Sequence, residues 1–294
     1  MASPSPVTDG QHVYAFFGSG DVFCLDMKGR LIWQRSLAGE YGEFENRFAA
    51  SSSPLVFEDS LIVQCDHYGA SYVLAIDKHT GANRWKTDRP EAWLSWSSPV
   101  CTKNSGDGSE LLVCGSEKMD ALDPRTGSKL WTLGGLEREC IPTPIVADET
   151  IYATSGPNGA ALAVRSGGRG DVTDSHVVWI STRGNPYVPS AIVAWWRYYT
   201  VDDHGIATCL DSSDGKTLWR KRFGGDFTAS PVAAENRVYF TNEAGSTLVI
   251  QADADKYTEL ARNEINEPVY ASLAISAGRI FLRSASHLWC IAGE

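Results

Sequence analysis

The sequence runs to 294 residues with a formal net charge of −10 and a pI near 5.1, a balance that opposes any non-specific grip on nucleic acid or an anionic membrane, where clustered Lys and Arg are required. No apolar run approaches the roughly 20 residues of a spanning helix, and Met1 to Pro6 has neither the basic nor the apolar region of an export signal. With 27 Gly, 10 Trp and 11 Tyr the composition leans toward strands, tight turns and aromatic packing, and all-β rings of this length commonly form one domain.

Taken in chain order, one unit recurs seven times, at intervals of about 40 to 50 residues, the signature of a repeat architecture. It opens on a short strand, at Ser5-Pro6-Val7, Ser53-Pro54-Leu55, Ser98-Pro99-Val100, Thr143-Pro144-Ile145, Pro189-Ser190-Ala191, Ser230-Pro231-Val232 and Ser272-Leu273-Ala274. A polar turn follows, as in Thr8-Asp9-Gly10 and Ala234-Glu235-Asn236, built from residues that tolerate positive φ. The chain returns as a second strand, typified by Val13-Tyr14, Ile151-Tyr152 and Val238-Tyr239. A third strand ends in Leu25-Asp26, Ile76-Asp77, Leu122-Asp123 and Leu210-Asp211. Glycine turns such as Thr80-Gly81, Thr126-Gly127 and Asp214-Gly215 lead to a fourth strand centred on Trp33, Trp85, Trp131, Trp179 or Trp219. The sixth repeat has Tyr257 to Leu260 there without Trp, and the seventh stops at Leu288-Trp289-Cys290-Ile291, one strand short.

Four short antiparallel strands cannot bury two apolar faces alone, so neighbouring repeats must stack, and radial closure removes most free edges. The sequence therefore predicts an all-β fold: a single seven-bladed β-propeller domain over residues 1–294, with four-stranded antiparallel blades and an incomplete last blade. The recurring Trp residues are expected as planar fillers between adjacent blades. Leu288 to Ile291 is expected as an exposed edge open to self-association. The start falls inside a repeat motif, which leaves room for an upstream strand, blade or export signal. As given the chain reads as soluble and cytoplasmic, and as periplasmic or exported if such a signal has been removed. Cys24, Cys209 and Cys290 share one repeat position and read as small buried hydrophobes, and the absence of any Cys-x-x-Cys pair favours a reducing compartment.

This Ser-Pro-Val, Val-Tyr, Leu-Asp, Thr-Gly, Trp unit resembles the repeat of the pyrroloquinoline-quinone-type (PQQ-like) propellers, over essentially the whole chain. That family embraces quinoprotein alcohol dehydrogenases and the propeller lipoprotein of the outer-membrane β-barrel assembly machine, so the resemblance implies a fold and spans both an enzyme and a scaffold class. The dehydrogenases carry a vicinal cysteine pair beside the quinone, with Glu, Asn and Asp on calcium. No two cysteines are adjacent here, and the resemblance does not extend to a quinone site.

In such a propeller the second-to-third loops and the fourth-to-first connections share one rim, and the glycine turns pave the other. The loops bring Asp66, His67, Tyr68, Glu117, Lys118, Asn158, Asp203, His204, Glu243 and Arg283 to the first rim, and the connections bring Arg47, Trp96, Glu139, Tyr187, Asp226 and Tyr270. Acids, imidazoles, guanidinium groups and aromatics converge there, as a pocket requires. The paired Asp66-His67 and Asp203-His204 loops, with Glu139 and Asp226, have the chemistry for acid–base catalysis or for a divalent metal. Trp195-Trp196-Arg197 stands where other repeats have a polar turn and reads as an exposed apolar patch. The insertion from Ser166 to Ser175 reads as a surface loop.

Two functional classes follow. The first is a scaffold that binds a small-molecule ligand or protein partner at the loop-rich mouth. The alternative is a hydrolase or lyase acting on an ester or sugar-like substrate, with His67, His204, Glu139 and Asp226 as its chemistry. A quinone-dependent dehydrogenase is a third reading, disfavoured by the separated cysteines.

Overall fold

A computed structural model describes residues 4–45, 50–92, 94–103, 108–157, 159–253 and 255–293. Together they form seven sheets of antiparallel strands in sequence order, one of which takes an added parallel strand from further along the chain, and the fold class is an all-β propeller of seven blades.

The first blade is β1 (Val7–Thr8), β2 (His12–Phe16), β3 (Asp21–Asp26) and β4 (Leu31–Ser36), followed by the short helix α1 (Leu37–Tyr41). The second is β5 (Leu55–Phe57), β6 (Ser60–Cys65), β7 (Tyr72–Asp77) and β8 (Asn83–Asp88). The third is β9 (Val100–Lys103), β10 (Ser109–Gly115), β11 (Lys118–Leu122) and β12 (Lys129–Gly134). The fourth takes β13 (Ile145–Ala147), β14 (Thr150–Thr154) and β15 (Ala161–Arg165), then leaves the sheet for β16 (Gly170–Asp171) and α2 (Thr173–His176) before closing with β17 (Val177–Ser181). The fifth is β18 (Ile192–Ala194), β19 (Arg197–Val201), β20 (Ile206–Asp211) and β21 (Thr217–Arg222). The sixth is β22 (Val232–Ala234), β23 (Arg237–Thr241), β24 (Ser246–Gln251) and β25 (Glu259–Glu264). The seventh has three strands, β26 (Ala274–Ser276), β27 (Arg279–Arg283) and β28 (Leu288–Ala292).

The chain divides into two compact units. The first comprises Met1–Pro144, Asp148–Thr150 and Arg165–Val177, and the second Ile145–Ala147, Ile151–Val164 and Val178–Glu294. In the first, one core gathers Tyr14, Val22, Cys24, Leu61, Leu74 and Ile76, and another Ile62, Val73, Leu111, Val113 and Leu122. In the second, Tyr199, Val201, Cys209, Val238, Phe240 and Leu248 pack together, as do Tyr152, Ala161, Trp179, Tyr198 and Leu210. Second and third strands such as β6, β7 and β10 are buried on both faces, their side chains filling the layers on either side of the sheet.

Each conserved letter of the internal repeat has a physical task. At the end of a third strand Asp77 accepts the N–H groups of His79 (3.1 Å) and Thr80 (3.0 Å), while its carbonyl takes the Gly81 N–H at 2.9 Å. Gly81 then turns in the left-handed region at φ 78°, where glycine has no steric cost. The Trp fourth strand lies on the next blade's turn. Trp33 donates its indole N–H to the Lys78 carbonyl, and Trp85 to that of Pro124, both at 3.0 Å. Trp179 donates to Ser212 at 2.9 Å in the second unit. The Ser or Thr of the first strand forms a ladder: Ser5 N–H to the Ser53 hydroxyl (3.0 Å), Ser53 N–H to Ser98 (2.9 Å) and Ser98 N–H to Thr143 (3.3 Å). Ser190 to Ser230 and Ser230 to Ser272, each 2.9 Å, repeat it in the second unit.

Two sequence expectations change. The insertion after β15 is more than a loop: β16 pairs in parallel with β12, Trp131 opposite Gly170, and gives that blade a fifth strand. Cys24 and Cys209 are buried as expected, but Cys290 is exposed, because no fourth strand among the described residues covers β28. No described helix is long and apolar enough to cross a membrane.

Candidate functional site

In both units the second-to-third loops meet the fourth-to-first connections through backbone hydrogen bonds. In the first unit Tyr68 N–H reaches the Glu45 carbonyl (3.1 Å) and Glu117 N–H that of Glu137 (3.2 Å), while two successive connections meet where Trp96 N–H reaches the Cys140 carbonyl (2.8 Å). In the second, Phe227 N–H reaches the Asp203 carbonyl (3.0 Å), Glu243 N–H that of Asp226 (2.9 Å) and Val269 N–H that of Glu243 (3.0 Å). Unsatisfied main-chain groups of one loop class thus find partners in the other.

The Asp66-His67 loop of the first unit is drawn inward. Asp66 Oδ2 accepts from Arg89 Nη1 at 2.6 Å and from Gln64 Nε2 at 2.7 Å. Arg89 Nη2 lies 3.8 Å from Asp120, whose Oδ1 receives the Thr132 hydroxyl at 2.5 Å and faces Lys129 Nζ at 3.1 Å. Burial pushes the Asp66 carboxyl above the usual carboxylate range, with Arg89 pulling against it. Gly115 makes the room, since a Cβ there would meet Asp66 Oδ2 at 2.7 Å. The His67 ring is 2% exposed as a residue and packs on Phe44, centroids 5.1 Å apart. Its Nδ1 accepts from the N–H groups of Gly69 (3.1 Å) and Glu45 (3.4 Å). An accepting Nδ1 belongs to the neutral imidazole, and burial holds the His67 pKa below its ordinary value.

Around it, Tyr68 is exposed, Trp96 buried and Glu139 half-buried. Lys118 pairs with Glu91. Glu91, Glu117, Lys118, Glu137 and Asp171 line a polar cavity of about 670 Å³.

In the second unit Asp203 accepts from the backbone N–H groups of Tyr187 (2.7 Å) and Val188 (3.1 Å) and so anchors the half-buried Tyr187 segment. His204 stands in solvent with Nδ1 3.6 Å from Asp226 Oδ1, also exposed. Glu243 accepts the Thr228 hydroxyl. Tyr270 and Arg283 line a cavity of about 270 Å³ with Ser284. Of the four acid–base candidates the structure brings His204 to Asp226. Arg47 and Asn158 lie outside the described residues.

The two Asp-His loops differ because they are out of step by one residue. Counted back from Gly69 and Gly205, His67 is level with Asp203, and Tyr68 with His204. The intervening segments, Asp66 to Ser71 and Asp202 to Gly205, also differ in length. One imidazole is consequently a core acceptor and the other a solvated side chain.

Among the described residues no three His, Cys, Asp or Glu side chains converge to hold a metal ion. All seven cysteines are free thiols, so the cysteine pair of a quinoprotein site has no counterpart and the residues do not fit that cofactor.

Sequence reasoning missed the Asp66, Arg89, Asp120 cluster, whose members lie on three separate segments, and a cleft among the glycine turns. That cleft, about 560 Å³, is lined by Phe57, Glu58, Arg84 and Arg125. Arg125 there pairs with Glu58 at 2.5 Å and lies over the Phe57 ring.

The patch at Trp195 and Trp196 is a two-residue hairpin turn, with Ala194 opposite Arg197. Both residues are left-handed, at φ 50° and 61°, and Trp196 is 72% exposed. The equivalent turn of the next blade is Glu235-Asn236, at φ 50° and 58°. Its Asn236 carbonyl accepts the Ala252 N–H at 3.0 Å, as that of Trp196 accepts Ser212 N–H at 3.2 Å.

A family described as "Outer membrane protein assembly factor BamB" matches residues 1–95 and 193–260, more than half of the chain. No curated protein matches in sequence. Among solved structures, BamB from Moraxella catarrhalis is 16% identical with a TM-score of 0.74, over 98% of this chain and 81% of its own. A europium-containing methanol dehydrogenase is 12% identical, TM-score 0.74, over 97% and 73%. The quinohemoprotein alcohol dehydrogenase from Comamonas testosteroni is 14% identical, TM-score 0.69, over 95% and 62%. At these identities the likeness is one of fold, shared by an assembly factor and by oxidoreductases.

Proposed function

Because this chain belongs to the family described as outer membrane protein assembly factor BamB, we propose that it is a scaffold that holds a protein partner rather than an enzyme. The observation that carries this reading is the Trp195-Trp196 turn. Two left-handed residues are the province of Asn and Gly, and a bulky side chain held there is strained by about 1 to 2 kcal/mol per residue. The backbone link of the hairpin does not require the indoles, since Glu235-Asn236 provides the same one, and Trp196 is left 72% exposed. Strain retained at an exposed position supports use of the side chains by something outside the chain, and tryptophan leads the residues that anchor protein interfaces.

The test is a Trp195→Asn, Trp196→Gly double variant, compared with the parent in affinity capture from envelope proteins of the source cell. The expected outcome is a more stable protein that no longer retains the partner held by the parent. Capture of the same protein by both would overturn the reading.

A further inference from the structure

In four blades the residue after the fourth strand donates its N–H to the carbonyl just before the third strand: Leu37 to Gly20 (2.8 Å), Arg89 to Ser71 (2.8 Å), Phe223 to Gly205 (2.7 Å) and Ile265 to Gly245 (3.1 Å). Leu37, Phe223 and Ile265 are apolar and pack in the blade cores. The second blade instead buries an arginine there, 6% exposed. A matching exchange occurs on β11. Asp120 faces Thr132 at the register position where Phe23, Leu74 and Leu248 face Gln34, Lys86 and Arg262, and it too is buried. Apolar residues in place of a buried ion pair are often neutral or stabilising, so packing does not account for Arg89 and Asp120.

Nor is the pair closed. Arg89 Nη1 is bonded to Asp66, but Nε and Nη2, the donors of one edge of the guanidinium, have no hydrogen-bond partner among the described residues. Nη2 stops 3.8 Å from Asp120 Oδ2, beyond hydrogen-bonding reach, while Oδ1 of that carboxylate is taken by Thr132 and Lys129. Buried donors left unbonded are costly and point to an acceptor from elsewhere. Arg89, Lys118, Asp120, Leu122 and Lys129 line a cavity of about 180 Å³, room for about five or six non-hydrogen atoms at about 30 Å³ each, the share of a water in its own liquid. We propose that this cavity binds a small 2-hydroxy acid, its carboxylate on the Nε and Nη2 fork of Arg89 and its hydroxyl donating to Asp120 Oδ2. The planar fork matches a carboxylate bidentately. A hydroxyl on the neighbouring carbon spans the gap to Asp120, and the ammonium groups of Lys118 and Lys129 offset the added negative charge.

The probes are glycolate, acetate, which lacks the hydroxyl, and acetamide, which keeps the shape of acetate without its charge. The readout is the Arg89 Nε–H resonance of the isotope-labelled protein at neutral pH and constant ionic strength. An Arg89→Leu, Asp120→Leu double variant, which puts apolar residues where other blades have them, identifies that resonance by its loss and should unfold at the parent's midpoint or above it. Glycolate should shift the resonance saturably and bind about tenfold more tightly than acetate, as a hydrogen bond to a charged acceptor predicts. Acetamide should leave it in place, and the calorimetric heat of glycolate binding should vanish in the double variant. No saturable shift, no preference for glycolate over acetate, an equal response to acetamide, or glycolate heat retained by the folded double variant would each overturn the proposal. If the double variant does not fold, the three titrations of the unmodified protein decide alone, with the resonance identified through Arg89→Lys. None of these outcomes depends on partner capture through the Trp195-Trp196 turn.

Discussion

A methyl group placed on Gly127 would lie 2.5 Å from the indole ring of Trp85, which belongs to the preceding blade. Gly215 stands to Trp179 in the same way, at 2.6 Å. Gly127 and Gly215 are thus each required twice, by their left-handed backbone and by the ring that lies on them. Gly29 separates the two demands, with φ 79° and nothing within 4 Å of its missing Cβ. Gly29→Ala should cost about 1 kcal/mol for conformation alone, and Gly127→Ala about 2 to 4 kcal/mol once overpacking is added. Urea midpoints measure both, and equal losses would refute the packing argument.

Trp131 is fully buried, and its indole N–H has no partner among the described residues, whereas that of Trp33 is bonded to Lys78. Trp131→Ala should lose about 3 to 5 kcal/mol. Trp33→Phe should lose about 1 kcal/mol more than Trp131→Phe through the hydrogen bond, with the packing loss taken as similar. The reverse order in thermal or urea unfolding would show that the indole bond is not what holds these blades.

Ser98 joins two neighbours, accepting from Ser53 N–H and donating its own N–H to Thr143. Ser98→Ala leaves the Ser53 amide without that acceptor, and about 1 to 2 kcal/mol should be lost. Hydrogen exchange should quicken at the Ser53 amide and leave the Ser190 to Ser230 link of the other unit unchanged. Unchanged exchange at Ser53 would remove the ladder from the account of stability.

His67 gives the fold an acid-sensitive element. In the unfolded chain its imidazole takes a proton as pH falls through about 6.5. Burial depresses the value in the folded state, so over that window the unfolded chain binds more protons. Stability from this group is then complete above pH 6.5 and declines as pH drops toward the folded value. The raised Asp66 pKa works in the opposite sense at lower pH. The comparison of parent with His67→Gln at pH 7.5, 6.5 and 5.5 isolates the histidine: the difference should shrink as pH falls, and a constant difference would contradict a neutral, buried imidazole.

Of the seven cysteines, all among the described residues, Cys290 alone is exposed. Burial pushes the Cys24 thiol to about 11 and those of Cys101, Cys114 and Cys209 to about 12. Since the thiolate is the reactive form, a native-state thiol titration at pH 8 should find one fast group, abolished by Cys290→Ser, and seven after denaturation. A second fast thiol would mean that one of the buried positions opens readily.

The sequence by itself determined the blade: its four strands, their order, the Trp that lies on the next turn and the glycine beneath it. These were legible because one packing problem is solved repeatedly, and each solution demands the same residue type at the same spacing, as the ring at Trp33 and the glycine at Gly81 do. The three strands that the seventh blade shows among the described residues were legible for the same reason. Only the tertiary structure decided what departs from the repeat. His67 and His204 look alike as dipeptides, yet a one-residue offset and loops of different length turn one inward as an acceptor and leave the other in water. Asp66, Arg89 and Asp120 meet because three distant segments are folded side by side, which no local spacing records. Cys24 and Cys290 share a strand position and an apolar context, but burial is conferred by the neighbouring strand, and β28 has none among the described residues.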